Sequence, residues 1–207
     1  MNLPNKITLS RIFLVPVFMV FVIPYPDWVL NSPYLQFINP QLTSINDFII
    51  NYGSYIAAVF FIIASSTDGV DGYIARKRKL VTRFGKFLDP IADKLLITAA
   101  LIALVQRGDI TGWAAMIIIG RELIVTGLRL VAAGEGVVIA ASTLGKIKTI
   151  SQMIAISAVL LRNFPLSLIL PDLRFDSYAM FFAVLITAYS GYDYLKKNIK
   201  IIELDKI

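Results

Sequence analysis

Six apolar stretches dominate this chain, at about residues 12–30, 48–73, 88–106, 111–133, 147–161 and 178–195. A helix needs about 20 mostly apolar residues to cross a bilayer. The expected fold is therefore all-α, a polytopic membrane protein with six transmembrane helices. Pro24 and Pro26 interrupt the first stretch. Residues 1–10 read as a short N-terminal interfacial helix. Residues 31–47, with Pro33 and Pro40, and residues 163–177, with Pro165 and Pro171, read as loops. Hydrophobic residues make up 57% of the chain and charged residues only 16%. Soluble domains are about half apolar and about a quarter charged, so the bilayer is the expected solvent here. No polar linker, internal repeat or low-complexity tract divides the sequence, and residues 1–207 read as one domain.

Lysine and arginine set the expected orientation, because cytoplasmic connections carry the excess of both. One set of connections holds Lys6, Arg11, Arg76, Lys77, Arg78, Lys79, Arg83, Lys86, Lys146, Lys148, Lys196, Lys197, Lys200 and Lys206. The other holds Arg107, Arg162 and Arg174. Both termini are thus expected in the cytoplasm, which requires an even number of spans. The net charge of +6 then marks cytoplasmic loops and anionic lipid heads rather than nucleic acid. There is no Cys, so disulfides and thiolate metal sites are excluded; there is no His, so catalysis must use other side chains. No small-residue cleavage site follows the first apolar run, and no cleavable signal peptide is expected.

The chemistry concentrates in Asp68-Gly-Val-Asp-Gly-Tyr-Ile-Ala-Arg76 and Gly85-Lys-Phe-Leu-Asp-Pro-Ile-Ala-Asp93. Asp68 and Asp71 are three apart, and Asp89 and Asp93 four apart, so each pair shares a helix face. The second span descends to the cytoplasm and the third rises from it, which brings the four carboxylates toward one membrane face. A centrally placed Asp costs roughly 2.5–3.5 kcal/mol on the insertion scale, and its short side chain snorkels poorly. Four converging carboxylates repel one another unless cations neutralise them. Their oxygens suit hard cations such as Mg²⁺ or Mn²⁺, and two such ions can clamp a phosphoryl group. Lys77, Arg78 and Lys79 read equally well as a solvated loop.

Asp68-x-x-Asp71-Gly72-x-x-Ala75-Arg76, eight residues, then Gly85-x-x-x-Asp89-x-x-x-Asp93 resembles the motif of the CDP-alcohol phosphatidyltransferases at every fixed position. The resemblance implies two divalent cations, Mg²⁺ or Mn²⁺, held by Asp68, Asp71, Asp89 and Asp93. It implies that Asp93 is also the base on the acceptor hydroxyl. Gly72, Ala75 and Arg76 are implied to line the site for CDP-diacylglycerol, and the family further implies a homodimer. A bacterial plasma membrane, with the active site on the cytoplasmic side, is the expected location.

The acceptor is read from a second group of residues. Arg121 and Glu122 sit mid-span in the fourth stretch. Neighbours on a helix point about 100° apart, so at least one is expected to pair elsewhere. Asn5-x-x-Thr8-x-x-Arg11 puts Thr8 and Arg11 on one side of an entry helix, and Gly145-Lys-Ile-Lys-Thr149 opens the fifth stretch. A helix N-terminus with Lys146, Lys148 and Thr149 suits an anion, although orientation-setting lysines would look the same. Arg11, Arg121 and Lys146 would together form a basic pocket for an acceptor with its own phosphate. Gly120-Arg-Glu122 and Gly145-Lys-x-Lys-Thr149 resemble the branch of the family that makes phosphatidylglycerophosphate in bacteria, which implies sn-glycerol 3-phosphate. Phosphatidylglycerol, inositol phosphate and serine remain open as acceptors within the same chemistry. A cation transporter is the alternative from another class; its acids would sit near the midplane, in repeated halves.

Overall fold

Prolines and glycines punctuate this chain, and they place most of the helix ends. The computed structural model describes the backbone of residues 3–77, 83–134, 136–137, 139 and 142–203. It describes the side chains of residues 9–66, 91–92, 94–134, 136–137, 139 and 142–198. Six helices of 18 residues or more run through them: α1 (Leu3–Val22), α4 (Ser54–Lys77), α5 (Arg83–Gln106), α6 (Gly112–Gly134), α7 (Thr143–Leu160) and α9 (Phe175–Glu203). Short helices α2 (Asp27–Leu30), α3 (Asn39–Phe48) and α8 (Leu166–Ile169) lie between them. No strand occurs among the described residues.

Three boundaries differ from expectation. The separate interfacial helix at residues 1–10 is not present, because the described part of that segment is the first half of α1, unbroken to Val22. Pro4 falls in the first turn, where its missing N–H costs nothing. The same helix ends before Pro24, so residues 12–30 are not one span. Residues 31–47 are not a loop either. They form a 3₁₀ helix, Pro33–Ile38, and then α3, which runs on through a π turn, Ile49–Gly53, into α4. Pro33 and Pro40 each occupy the start of a helix, where a fixed φ favours it. They are initiators here, not breakers.

The other ends are capped as their sequences suggest. Gly108 (φ 77°) and Gly136 (φ 74°) adopt the left-handed conformation that closes α5 and α6. Arg162 (φ 49°) and Asn163 (φ 67°) do so after α7. Ser142 caps α7, its Oγ accepting from the Gly145 amide at 3.0 Å.

Helix α1 packs on α4 and α5, and α9 packs on α6 and α7; α4–α7 and α5–α6 contacts join the two groups. The main core gathers Phe18, Phe61, Leu101, Leu104, Ile118, Ile156 and Leu160 around alanines of α4 and α5. Small residues let helix backbones close up. Among the described glycines the tightest approach is at Gly53, where an added Cβ would lie 2.1 Å from the Phe21 carbonyl oxygen. At this end Arg107 donates to Ser54 Oγ and pairs with Asp109 at 2.9 Å. Burial pulls the Arg107 guanidinium below its ordinary value and Asp109 pulls it back up. Arg162 donates to the Ile50 carbonyl at 2.7 Å. The start of α4 thus meets the ends of α5 and α7, as an up-and-down bundle requires.

One helical run, the 34 residues Pro33–Ser66, is long and apolar enough to cross a membrane among the described residues. Leu9–Val22 and Lys94–Gln106 are shorter apolar helices. Large apolar side chains also face outward, among them Phe13, Trp113, Met116, Leu123, Leu130 and Phe181.

Candidate active site

The two carboxylate pairs are positioned by helix register. Asp68 and Asp71 lie nine and six residues before the end of α4, and Asp89 and Asp93 six and ten residues after the start of α5. At about 1.5 Å per residue, all four fall at a similar depth beside the connection of residues 78–82. The side chains of Thr8, Asp68, Asp71, Ala75, Arg76, Asp89 and Asp93 lie outside the described residues, as does the surrounding of Gly72. An all-aspartate donor set is the kind that hard divalent cations take.

Next to this motif is a cavity of about 940 Å³. Ser65 and Ser66, just before Asp68, line it from α4; Lys94, which follows Asp93, lines it from α5. Helix α6 contributes Arg121, Glu122, Thr126 and Arg129, spaced so that they share one side. Helix α7 contributes Gly145, Lys146, Lys148 and Thr149 from its first two turns. Among the described lining residues, Lys94, Arg121, Arg129, Lys146 and Lys148 face a single acid, Glu122.

Glu122 is the joint of this wall. Its Oε1 accepts from Arg121 Nη1 at 3.2 Å and from Lys148 Nζ. The side chains are largely buried: 9% exposed for Arg121, 17% for Glu122 and 6% for Lys148. Arg121 and Glu122 therefore do meet, against the expectation from their adjacency, because the long guanidinium reaches round the helix. Each also pairs elsewhere, as expected: Arg121 Nη2 donates to Ser190 Oγ on α9 at 2.9 Å. The buried Nε of Arg121 has no hydrogen-bond partner among the described residues. Lys94 donates to Thr126 Oγ1, whose own proton goes to the Glu122 carbonyl at 2.6 Å. Arg129 Nε donates to the Tyr194 hydroxyl at 2.9 Å, with the guanidinium 5.4 Å from that ring's centroid.

The structure thus brings together Arg121, Lys146, Lys148 and Thr149. It does not bring Arg11 into this wall; Arg11 is buried on α1, 2% exposed. Lys94 and Arg129 join the cavity, while Asp193 pairs with Lys197 at 2.8 Å along α9. Sequence reasoning missed Ser190 and Tyr194. No sequence signal singled them out: α9 also carries Asp193, Lys196 and Lys197, and the register of Thr187, Ser190 and Tyr194 gains meaning only from α6 and α7 packed alongside.

A second cavity, of about 650 Å³, continues from the first between α4 and α7 and shares Ser65, Ser66 and Met153 with it. Its wall is mostly apolar, including Ile62, Ile154, Leu161 and Phe175.

A model of the CDP-alcohol phosphatidyltransferase family matches residues 1–189. The chain is 50% identical over 197 residues to a protein of Bacillus subtilis (strain 168), covering 95% of both chains. It is 37% identical over 195 residues to one of Rickettsia bellii (strain RML369-C), covering 94% of both. To one of Escherichia coli (strain K12) it is 32% identical over 203 residues, covering 94% of this chain and 93% of the other. All three relatives are named CDP-diacylglycerol–glycerol-3-phosphate 3-phosphatidyltransferase.

Proposed function

The chain belongs to the CDP-alcohol phosphatidyltransferase family, and from that premise we propose that it transfers the phosphatidyl group of CDP-diacylglycerol to sn-glycerol 3-phosphate. The products are phosphatidylglycerophosphate and CMP. The relatives' shared name supports the reaction. The observation that carries the acceptor is the cationic cavity, whose described wall sets Lys94, Arg121, Arg129, Lys146 and Lys148 against one acid, Glu122. A phosphate bound there would accept charge-assisted hydrogen bonds from these cations.

Each group of residues then has a role. Arg121, Lys146, Lys148 and Thr149 hold the acceptor phosphate, with Thr8 contributing from α1; Arg11, buried outside the cavity wall, is not among them. Asp93 takes the proton of the acceptor hydroxyl as its oxygen attacks the phosphorus that bears diacylglycerol. The new P–O bond forms as the bond to the CMP phosphate breaks, and CMP leaves. Gly72, Ala75 and Arg76 bind the CDP moiety. Asp68, Asp71, Asp89 and Asp93 would hold the divalent cations, Mg²⁺ or Mn²⁺. Bound there, the cations supply charge compensation on the phosphoryl oxygens. Positioning of the two substrates supplies much of the remaining acceleration.

The lipid and its bilayer fit the rest of the molecule. The apolar cavity between α4 and α7 would take an acyl chain. The outward-facing apolar side chains would meet lipid, since so much exposed apolar surface is uncommon on a soluble monomer. The six long helices would cross the plasma membrane, with both termini and the site on the cytoplasmic side.

The test is CMP release by purified protein in detergent, given CDP-diacylglycerol and Mg²⁺ or Mn²⁺. Glycerol phosphate, inositol phosphate, serine and phosphatidylglycerol are compared as acceptors, each with an EDTA control. Release with glycerol phosphate, abolished by EDTA, is expected. Release with a different acceptor alone would keep the family chemistry and overturn the reading of the cavity.

A further inference from the structure

One face of α9 braces α6 and α7, two of the helices that wall the cationic cavity, without lining it. Thr187 Oγ1 accepts from Gln152 Nε2 of α7 at 2.8 Å. Ser190 Oγ accepts from Arg121 Nη2 at 2.9 Å, and the Tyr194 hydroxyl accepts from Arg129 Nε at 2.9 Å. These residues recur at three- and four-residue spacing, the pattern of a single helix face. All three are buried: Thr187 and Ser190 are fully enclosed and Tyr194 is 3% exposed. Gly191 lies among them, and an added Cβ there would come within 3.0 Å of Arg121 Cγ. The side chain of Arg121 therefore lies across α9 at the one position on this face that has no Cβ.

From this we infer that α9 is the positioning element of the anion site, with Ser190 and Gly191 setting Arg121, and Tyr194 setting Arg129. The inference rests on the proposed acceptor pocket and deepens it. The two arginines are held by different edges. Arg121 is held by both Nη groups, on Glu122 and Ser190. Arg129 is held by its Nε, on Tyr194, and keeps its Nη groups. A phosphate in the cavity would meet two guanidinium groups already turned and fixed. The ordering of two long, rotamer-rich side chains is then completed before the substrate arrives, which improves affinity.

The role of these α9 residues is positioning, not catalysis, so the readout is a split between kinetic constants. Ser190→Ala, Gly191→Ala and Tyr194→Phe are compared with wild type for KM of glycerol phosphate, KM of CDP-diacylglycerol and kcat. Each is expected to raise the KM of glycerol phosphate about threefold to tenfold, for Ser190→Ala and Tyr194→Phe the value of one hydrogen bond. The KM of CDP-diacylglycerol and kcat should stay within about twofold. Arg121→Ala is the reference, and Ser190→Ala added to it should change nothing further, because Ser190 acts through Arg121. Tyr194→Phe keeps the ring and removes only the hydroxyl, so it preserves the test if Gly191→Ala fails to fold. A raised KM in Arg121→Ala, with wild-type values in Ser190→Ala and Tyr194→Phe, overturns the inference and leaves the acceptor pocket standing. An unchanged KM in Arg121→Ala overturns the pocket itself, and this inference with it. Equal changes in both KM values would assign α9 a general structural role and also overturn the inference.

Discussion

Gly53 and Gly191 both sit where two helices touch, and they divide the molecule into two kinds of construction. A Cβ at Gly53 would strike the backbone oxygen of Phe21 at 2.1 Å; one at Gly191 would press on the side chain of Arg121 at 3.0 Å. The first neighbour cannot yield, and the second can. Around Gly53 the bundle is closed by packing, with Phe18, Phe61, Leu101 and Leu104 enclosed among alanines. Around Gly191 it is held open. Among the described residues Val125, Leu128 and Tyr194 form a small buried cluster there, and polar bonds from Glu122, Ser190 and Tyr194 do the rest. A packed end resists movement but offers no chemistry. A cavity wall made of charged side chains needs bracing, because each unpaired group in it is costly.

Four substitutions would break or sharpen this division. The largest effect is expected from Asp93→Asn, beside the open end. Turnover should fall by about 10²–10⁴-fold, as for loss of a general base. CMP release measures it, and binding of CDP-diacylglycerol and the melting temperature should be nearly unchanged. Arg121→Ala comes next. It removes charge-assisted bonds worth about 1.5–3 kcal/mol, so the apparent KM for glycerol phosphate should rise roughly 10- to 100-fold. An unaltered acceptor saturation curve would return Arg121 to a structural role.

Gly53→Ala should do the opposite. Overpacking against a backbone atom costs about 1–3 kcal/mol or more, seen as a lower melting temperature in detergent. The KM values of the protein that remains folded should match wild type; a selective loss of acceptor affinity would erase the contrast between the two ends. The smallest effect belongs to Lys197→Ala. Its pair with Asp193 is an exposed one on a single helix turn, worth about 0.3–0.5 kcal/mol at most. Neither stability nor kinetics should move measurably.

The two ends were unequally legible in the sequence. The long helices stood out because a bilayer-length apolar run needs no tertiary context to be seen. Arg121, Lys146, Lys148 and Thr149 were legible because charge in an apolar helix demands a partner or a ligand. The bracing was not. Ser190, Gly191 and Tyr194 are small or amphipathic residues that suit any membrane helix, and only α6 packed alongside gives them a purpose. Adjacency misled at Glu122, since a helical wheel places Cβ atoms and ignores the reach of a guanidinium. Pro33 and Pro40 misled because each sits in the first turn of a helix, where proline removes no hydrogen bond. Arg11, grouped with the phosphate ligands by charge, is buried on α1 instead of lining the cavity.

The most direct measurement compares sn-glycerol 3-phosphate with glycerol as acceptor, in wild type and in Arg121→Ala. The two acceptors share the attacking hydroxyl and differ in the phosphate that the cationic cavity is proposed to receive. Wild type should prefer the phosphate ester by about 10²-fold or more in kcat/KM, and Arg121→Ala should lose much of that preference. Equal use of both acceptors by wild type, or a preference untouched in Arg121→Ala, would contradict the account.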